Sequence, residues 1–402
     1  MDMLNMLLVG CGMMGARHAR GIGELQRVAP VAVRLAAVCD VRREAAEKVA
    51  DEAEQLLGHR PAVFTDVEAA VSEAPDLDAV DLVTEPRSHD ELTVSLLQSG
   101  LHVLCEKPLA LTIRRGLRMI EAADAAGRVL ATAENNRRDP MNRLARACIE
   151  GGLIGTPNFI LQLLINPGGR IIATAWRHRL AMGGVLLDVA IHAAYEIEAL
   201  VGHVETICGR AQLVQTDRAG KEYDGTEVAV EADAEDCFSA VLGLANGCRG
   251  QWTGHFASPG ETMFKRLVVG SEGTLSCPSS RSGRPVELRR GDELLTGDAL
   301  LAELPEYSLK PIESALFGER PSSYQLESVV TDRKLIAAEL HDFAEAIRSG
   351  RAPESDGRTG LRAAGLIYGV LESSLAGRVV SVSEVLDGSL HAYQDRVEAA
   401  ML

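Results

Sequence analysis

A chain of 402 residues is longer than one hydrophobic core usually serves, about 250–300 residues, so two domains are expected. Hydrophobic residues make up 46% and charged residues 24%, an ordinary folded composition that excludes a disordered, collagen-like or disulfide-scaffold chain. The net charge of −16 opposes nucleic acid and anionic membrane surfaces, both of which need a basic face.

The first third alternates between strand and helix patterns. Apolar Leu4–Val9 precedes a helical Met13–Leu25, and Val33–Cys39 precedes the Ala-rich amphipathic run Arg42–Leu57. Val63–Phe64 and Ala79–Thr84 read as strands, Asp90–Gln98 as a helix, His102–Cys105 as a strand, Ile113–Ala126 as a helix and Val129–Thr132 as a strand. This alternation implies an α/β domain at 1–135, a doubly wound parallel sheet covered on both faces. In the expected second domain, 136–402, the rhythm changes. Strand patterns at Asn158–Ile165, Val204–Gln215, Glu227–Ala232, Cys237–Leu244, Gly247–Phe256, Leu267–Val269 and Thr274–Ser276 predict a largely antiparallel sheet, with a helix at Gly184–Leu200 against it. The Gly-, Pro-, Ser- and charge-rich segment 278–330 reads as an irregular insertion, and helices return at Arg333–Ser349 and Arg358–Ala376.

No stretch reads as long and apolar enough to span a bilayer, and no basic segment precedes the first apolar run, so neither a membrane span nor a signal peptide is expected. The eight cysteines stand singly and never form C-x-x-C. A cytoplasmic protein without a metal site is therefore expected.

Gly10-Cys11-Gly12-Met13-Met14-Gly15 fits G-x-G-x-x-G between a strand and a helix, the setting in which glycines admit a pyrophosphate to a helix N-terminus. Asp40 ends the second strand, where an acid accepts hydrogen bonds from the adenosine ribose and repels a 2′-phosphate. That favours NAD, while Arg42 and Arg43 leave NADP open. Asp40 also suits a helix N-cap. Lys107 lies at the carboxyl end of an apolar strand, where ligands of such sheets sit. Asp188 and His192, spaced i and i+4, are expected on one face of an apolar helix, and Tyr195 extends the stripe. An aspartate beside a histidine suits a proton relay, although a satisfied pair in a core reads equally well from these residues alone.

The ordered set of motifs resembles the GFO/IDH/MocA oxidoreductases. It runs from the glycine loop with His18, through Thr84 and His89, Glu106-Lys107-Pro108, Asn135, Arg137 and Asp139-Pro140, to Ile154-Gly155-Thr156-Pro157. Trp176-Arg177, Gly183-Gly184, Asp188, His192 and Asp356-Gly357-Arg358 follow. The chain has Thr84-Glu85-Pro86 where the family often has Thr-Pro-Asn, and Glu134 where an apolar residue is common.

The resemblance implies a Rossmann domain followed by an α+β domain with an open, mostly antiparallel sheet, and homodimers or homotetramers joined through that sheet. It implies hydride transfer between NAD(P) and a secondary alcohol of a sugar or cyclitol, with Lys107, Asp188 and His192 as the catalytic trio. On this reading His192 takes the hydroxyl proton, Asp188 orients His192, and Lys107 holds the developing alkoxide. Gly10, Cys11, Gly12, Met13, Met14, Gly15, Asp40, Arg42, Thr84, His89, Glu106 and Lys107 would meet the cofactor. Asn135, Arg137, Trp176, Arg177 and Tyr195 are candidates for substrate contact. Two rivals stay open, an NAD-assisted lyase and a non-catalytic dinucleotide sensor.

Overall fold

Six short strands build the first sheet: β1 (Leu4–Val9), β2 (Val33–Cys39), β3 (Ala62–Phe64), β4 (Ala79–Leu82), β5 (His102–Glu106) and β6 (Leu130–Ala133). The computed structural model describes residues 3–74 and 76–402. All pairs in this sheet are parallel, in the order β3-β2-β1-β4-β5-β6, the doubly wound arrangement expected from the alternation. The order reverses at β1 and β4, and the crevice beyond their carboxyl ends is the place for a ligand. Helices α1 (Met13–Val28), α2 (Arg43–Leu57), α3 (Val67–Glu73), α4 (His89–Gln98) and α5 (Ile113–Ala126) connect the strands. The strands are near-continuous apolar runs because both faces are covered: Met6, Leu7 and Leu8 are all fully buried.

Helix α6 (Pro140–Glu150) leads into the second domain. Its strands are β7 (Pro157–Pro167), β8 (Val204–Gln212), β9 (Asp217–Lys221), β10 (Glu227–Glu231), β11 (Cys237–Leu244), β12 (Arg249–Ser258), β13 (Met263–Gly270), β14 (Thr274–Cys277), β15 (Glu287–Arg290), β16 (Glu293–Thr296) and β17 (Val380–Ser381). Nine of them form one sheet, β16-β15-β14-β13-β7-β12-β11-β8-β17, antiparallel except for the β7–β12 pair. Strands β9 and β10 stand apart as a hairpin.

The remaining helices are α7 (Ile191–Val201), α8 (Gly297–Ala302), α9 (Pro311–Phe317), α10 (Ser328–Ser349), α11 (Gly357–Ala376), α12 (Val382–Leu386) and α13 (Ala392–Met401). Along β11, Phe238, Ala240 and Leu242 point inward while Ser239 and Val241 point out, the period of two that a half-covered sheet requires. Helix α11 lies on the covered face so closely that a Cβ on Gly209 of β8 would sit 3.0 Å from Val370.

Two expectations are corrected, and one long-range contact is new. Segment 278–330 is not an irregular insertion: it holds β15 and β16, which extend the sheet, and the short helices α8 and α9. Leu180–Val201 is long and apolar enough to cross a membrane by length and composition, with a mean hydropathy of 1.4. Two-thirds of that window is buried within the protein, so its apolarity serves the core. Helix α10, far along the chain, completes the core of the first sheet: Ile336, Leu340 and Phe343 cluster with Met6, Leu8 and Ile22.

Candidate active site

The glycine loop is built by close approaches. Gly10 has φ +95°, a conformation that side chains rarely adopt, and a Cβ there would meet the Val83 carbonyl at 2.5 Å. On Gly15 a Cβ would lie 1.9 Å from the Gly10 oxygen, so α1 can start this near β1 only without a side chain. Gly12, between them, faces open space. An open, side-chain-free path across a helix N-terminus fits a dinucleotide pyrophosphate. Met13 and Met14 are half-buried in the first turn of α1, while Cys11 is buried.

Asp40, at the end of β2, receives the Cys11 N–H at 2.8 Å and the Arg42 N–H at 2.9 Å, so loop and strand end are locked together. The second bond is the N-cap-like role that the sequence allowed. The Arg42 side chain stays in solvent, 3.6 Å from Asp40.

Other residues expected at the cofactor brace the cleft from behind. His89 is fully buried, and its ring nitrogens lie 2.9 Å from the Pro108 carbonyl and 3.1 Å from the Thr84 carbonyl. Its ring therefore ties the β4 end to the β5 end and has no surface for a cofactor. Thr84 is half-buried, and its hydroxyl accepts from Ser88 at 2.8 Å. Glu106 accepts the Lys107 N–H at 2.8 Å and faces His18 at 3.3 Å. Burial pushes the Glu106 carboxyl up, but His18, with Lys107 and His192, outweighs it and holds it below the usual range.

Beyond these strand ends stand four groups from different parts of the chain. Lys107 follows β5, Glu134 follows β6, Asp188 lies in a π-helical turn (Leu186–Ala190), and His192 lies in the first turn of α7. The Lys107–Pro108 peptide is cis. Lys107 Nζ donates to the Asp188 carbonyl at 2.7 Å and to Oδ1 at 2.9 Å. Arg177 Nε donates to the other carboxylate oxygen at 2.5 Å, and its guanidinium stacks 4.3 Å from the Trp176 ring centroid. Burial pushes the Asp188 carboxyl up, yet Lys107 and Arg177 together hold it down at about 2.

Asp188 does not reach His192. The π turn carries i→i+5 hydrogen bonds, so the face shared by i and i+4 in an α-helix is lost. Glu134 takes that place: its Oε2 lies 2.7 Å from His192 Nδ1, and its Oε1 receives the Asn136 N–H at 2.9 Å. Glu134 is fully buried, whereas the His192 side chain is 23% exposed, so the imidazole is the open end of the pair. The signal for Glu134 was a carboxylate just past the end of an apolar strand, in the position of Lys107 one strand over.

The expected substrate contacts divide. Trp176 and Arg177 stand beside Asp188. The Asn135 amide donates to Asp332 of α10 at 3.1 Å, and Asp332 also holds Arg17 and Arg281. Arg137 turns toward Glu354, 4.0 Å away, and lines a small cavity with Asn142, Arg143 and Glu196. Tyr195 is buried, and its hydroxyl has no hydrogen-bond partner among the described residues. Burial and then Glu134 raise its pKa well above the ordinary phenol value. Its place is behind the site.

The arrangement has a definite chemical capacity. If Nδ1–H donates to Glu134, Nε2 keeps a lone pair for an incoming proton. Lys107 has spent two of its three N–H donors on Asp188 and keeps one for a ligand oxygen.

The chain is similar to known oxidoreductases over most of its length. "Oxidoreductase family, NAD-binding Rossmann fold" of GFO/IDH/MocA matches residues 4–134, and the GFO/IDH/MocA C-terminal domain matches 142–276. The 1,5-anhydro-D-fructose reductase of Ensifer adhaerens is 38% identical over 301 residues, 71% of this chain and 84% of that protein. The myo-inositol 2-dehydrogenase of Thermotoga maritima is 25% identical over 381 residues, 94% of this chain and 98% of its own. An NAD-binding oxidoreductase from Klebsiella pneumoniae superposes with a TM-score of 0.79 at 25% identity, covering 95% of this chain and 99% of that one. With both halves matched and the dinucleotide loop built as its glycines require, the chain belongs to the GFO/IDH/MocA family and is an NAD-binding Rossmann oxidoreductase.

Proposed function

We propose that this protein oxidises, or in reverse forms, a secondary alcohol on a sugar or cyclitol. The observation that carries this is the convergence of Lys107, Asp188, His192 and Glu134 beyond the carboxyl ends of β5 and β6. The names of its relatives, a reductase of an anhydrosugar and a dehydrogenase of an inositol, support the substrate class.

The glycine loop, Asp40 and the N-terminus of α1 would hold NAD, which when bound supplies the hydride acceptor for alcohol oxidation. His192 Nε2 takes the hydroxyl proton, and Glu134 fixes the ring and stabilises the imidazolium that results. The free N–H of Lys107 meets the substrate oxygen as it gains negative charge. Asp188 orients Lys107 instead of His192, and Arg177 shares its charge. Lys107 and Arg177 balance Asp188 and Glu134, so the proton reaching His192 is matched by charge developing on the substrate. Trp176 offers the apolar flank of a sugar ring a surface to rest on.

The eight free cysteines, six of them buried, support a reducing, cytoplasmic setting. The uncovered face of the nine-stranded sheet, with Val241 59% and Met263 53% exposed, is the proposed contact of a homodimer or homotetramer. The domain boundary is proposed near residue 135, with α10 returning to the first core.

The test is a panel of cyclic polyols, aldoses and anhydrosugars incubated with NAD and followed by the absorbance of the reduced nicotinamide. At least one member should reduce NAD stoichiometrically. If a sugar is consumed with no net NADH, the lyase reading replaces this one. If nothing in the panel reacts while NADH binds, the sensor reading does.

A further inference from the structure

The segment that carries Arg177 into the site has little structure of its own. It runs from the end of β7 to the π turn with only single 3₁₀ turns, at Ala175–His178 and Leu180–Met182. Within it Ala173 has φ +61°, a left-handed conformation that is unfavourable for a residue with a Cβ. The next residues lead directly to the catalytic groups. Thr174 Oγ1 accepts an Arg177 guanidinium N–H at 2.5 Å, and Arg177 Nε reaches Asp188 Oδ2 at 2.5 Å. Asp188 in turn receives Lys107 at 2.9 Å. The placement of Lys107 therefore depends on a turn that its own residues disfavour.

That turn is held from outside, by the tip of the β9–β10 hairpin. The Tyr223 N–H donates to Ala173 O at 3.0 Å, and the Ala175 N–H donates to Glu222 Oε1 at 2.7 Å, so the two bonds bracket Thr174. A Cβ on Gly220 would sit 3.2 Å from the Ile171 nitrogen, so hairpin and segment lie side by side. The tip is closed by the Glu222 N–H donating to Thr226 O at 2.9 Å and the Gly225 N–H donating to Glu222 O at 3.0 Å. On its other side the Tyr223 ring lies on Arg17 of α1, 5.1 Å from guanidinium carbon to ring centroid, and Arg17 is itself held by Asp332 at 3.1 Å. The hairpin is thus seated between the first domain and the turn it holds.

We propose that Glu222 is a positioning residue for the reaction. Its carboxylate oxygen on the Ala175 N–H keeps the Ala173–Ala175 turn in place, so that Thr174 and Arg177 hold Asp188 where Lys107 keeps one N–H for the substrate oxygen. Glu222 acts only through Ala175, Thr174 and Arg177, and what it supplies is a hydrogen-bond acceptor, not a charge. The inference rests on the reading of the site as an alcohol oxidoreductase.

The chain has two tryptophans, which gives a readout that needs no substrate. Trp252 is buried, whereas Trp176 is half-buried and stacked on Arg177, so acrylamide quenching of intrinsic fluorescence reads Trp176. Glu222→Ala should raise the quenching constant of the cofactor-free protein. On the sugar or cyclitol that the panel identifies, it should lower kcat about tenfold or more, with NADH affinity and melting temperature near wild type. Glu222→Gln keeps an acceptor for the Ala175 N–H and should restore both quenching and kcat. In an Arg177→Gln background, Glu222→Ala should cost little further in kcat, because both changes act along one path. Unchanged quenching and kcat in Glu222→Ala, a loss that Glu222→Gln does not restore, or full additivity with Arg177→Gln would each overturn the proposal. If quenching responds as expected while the wild type oxidises no member of the panel, Glu222 does hold the turn and it is the alcohol-oxidation reading that falls.

Discussion

In the proposed mechanism the proton chemistry turns on Glu134. It is fully buried, and both carboxylate oxygens are engaged, one by the Asn136 N–H and one by His192 Nδ1. Glu134→Gln keeps the shape and removes the charge that would stabilise a protonated His192. It should lower kcat by about 10²-fold or more while leaving the NADH Kd and the melting temperature near wild type. An unchanged kcat would show that Glu134 is packing alone. His18 carries a second prediction at this scale. Burial alone would lower its pKa, but Asp81 at 2.9 Å and Glu106 at 3.3 Å outweigh burial and raise it well above the ordinary value. A raised folded pKa contributes stability that is fully present below about pH 6.5 and is lost as pH rises through the folded value. His18→Gln should therefore cost more in Tm at about pH 6 than at about pH 9. A gap independent of pH would contradict a charged His18.

Element packing is exacting where α1 meets α10. A Cβ on Gly21 would lie 2.4 Å from Ile336 Cγ2, so the two helices touch at a glycine. Gly21→Ala should destabilise the protein by about 1–3 kcal/mol, as overpacking does. Adding Ile336→Ala should cost less than the two single changes summed, measured by denaturant unfolding. Strict additivity would mean that the helices shift apart freely.

The same junction shows what the sequence could convey. The alternation of apolar strands and amphipathic helices, the Gly10–Gly15 loop and Lys107 at a strand end were legible because each is a local pattern. The return of α10 to the first core was not, because its apolar face does not say which sheet covers it. The Asp188–His192 pairing was misread for a different reason. Spacing i to i+4 implies a shared face only in a regular α-helix, and the π turn at Leu186–Ala190 leaves no mark in an apolar sequence. Nor did 278–330 announce β15 and β16: each strand has only four residues, too few for a period to show.

At the scale of the whole molecule, the cleft is closed from the second domain. Asp332 gathers Arg17 from α1, Asn135 from the β6 end and Arg281 from the loop before β15, so three separate parts of the chain meet on one carboxylate. Arg17 comes two residues after Gly15 and Asn135 directly after Glu134, so this carboxylate links the start of α1 to the strand end that carries the His192–Glu134 pair. In the proposed function these groups together oxidise an alcohol, with Lys107 holding the substrate oxygen. The direct measurement is the single-turnover rate of NAD reduction by Lys107→Ala against wild type, on whichever polyol the panel identifies, with NADH affinity measured in parallel. The expected result is a loss of about 10²–10³ in rate with NADH still bound, since the glycine loop and Asp40 are untouched. Turnover by Lys107→Ala at the wild-type rate would contradict it.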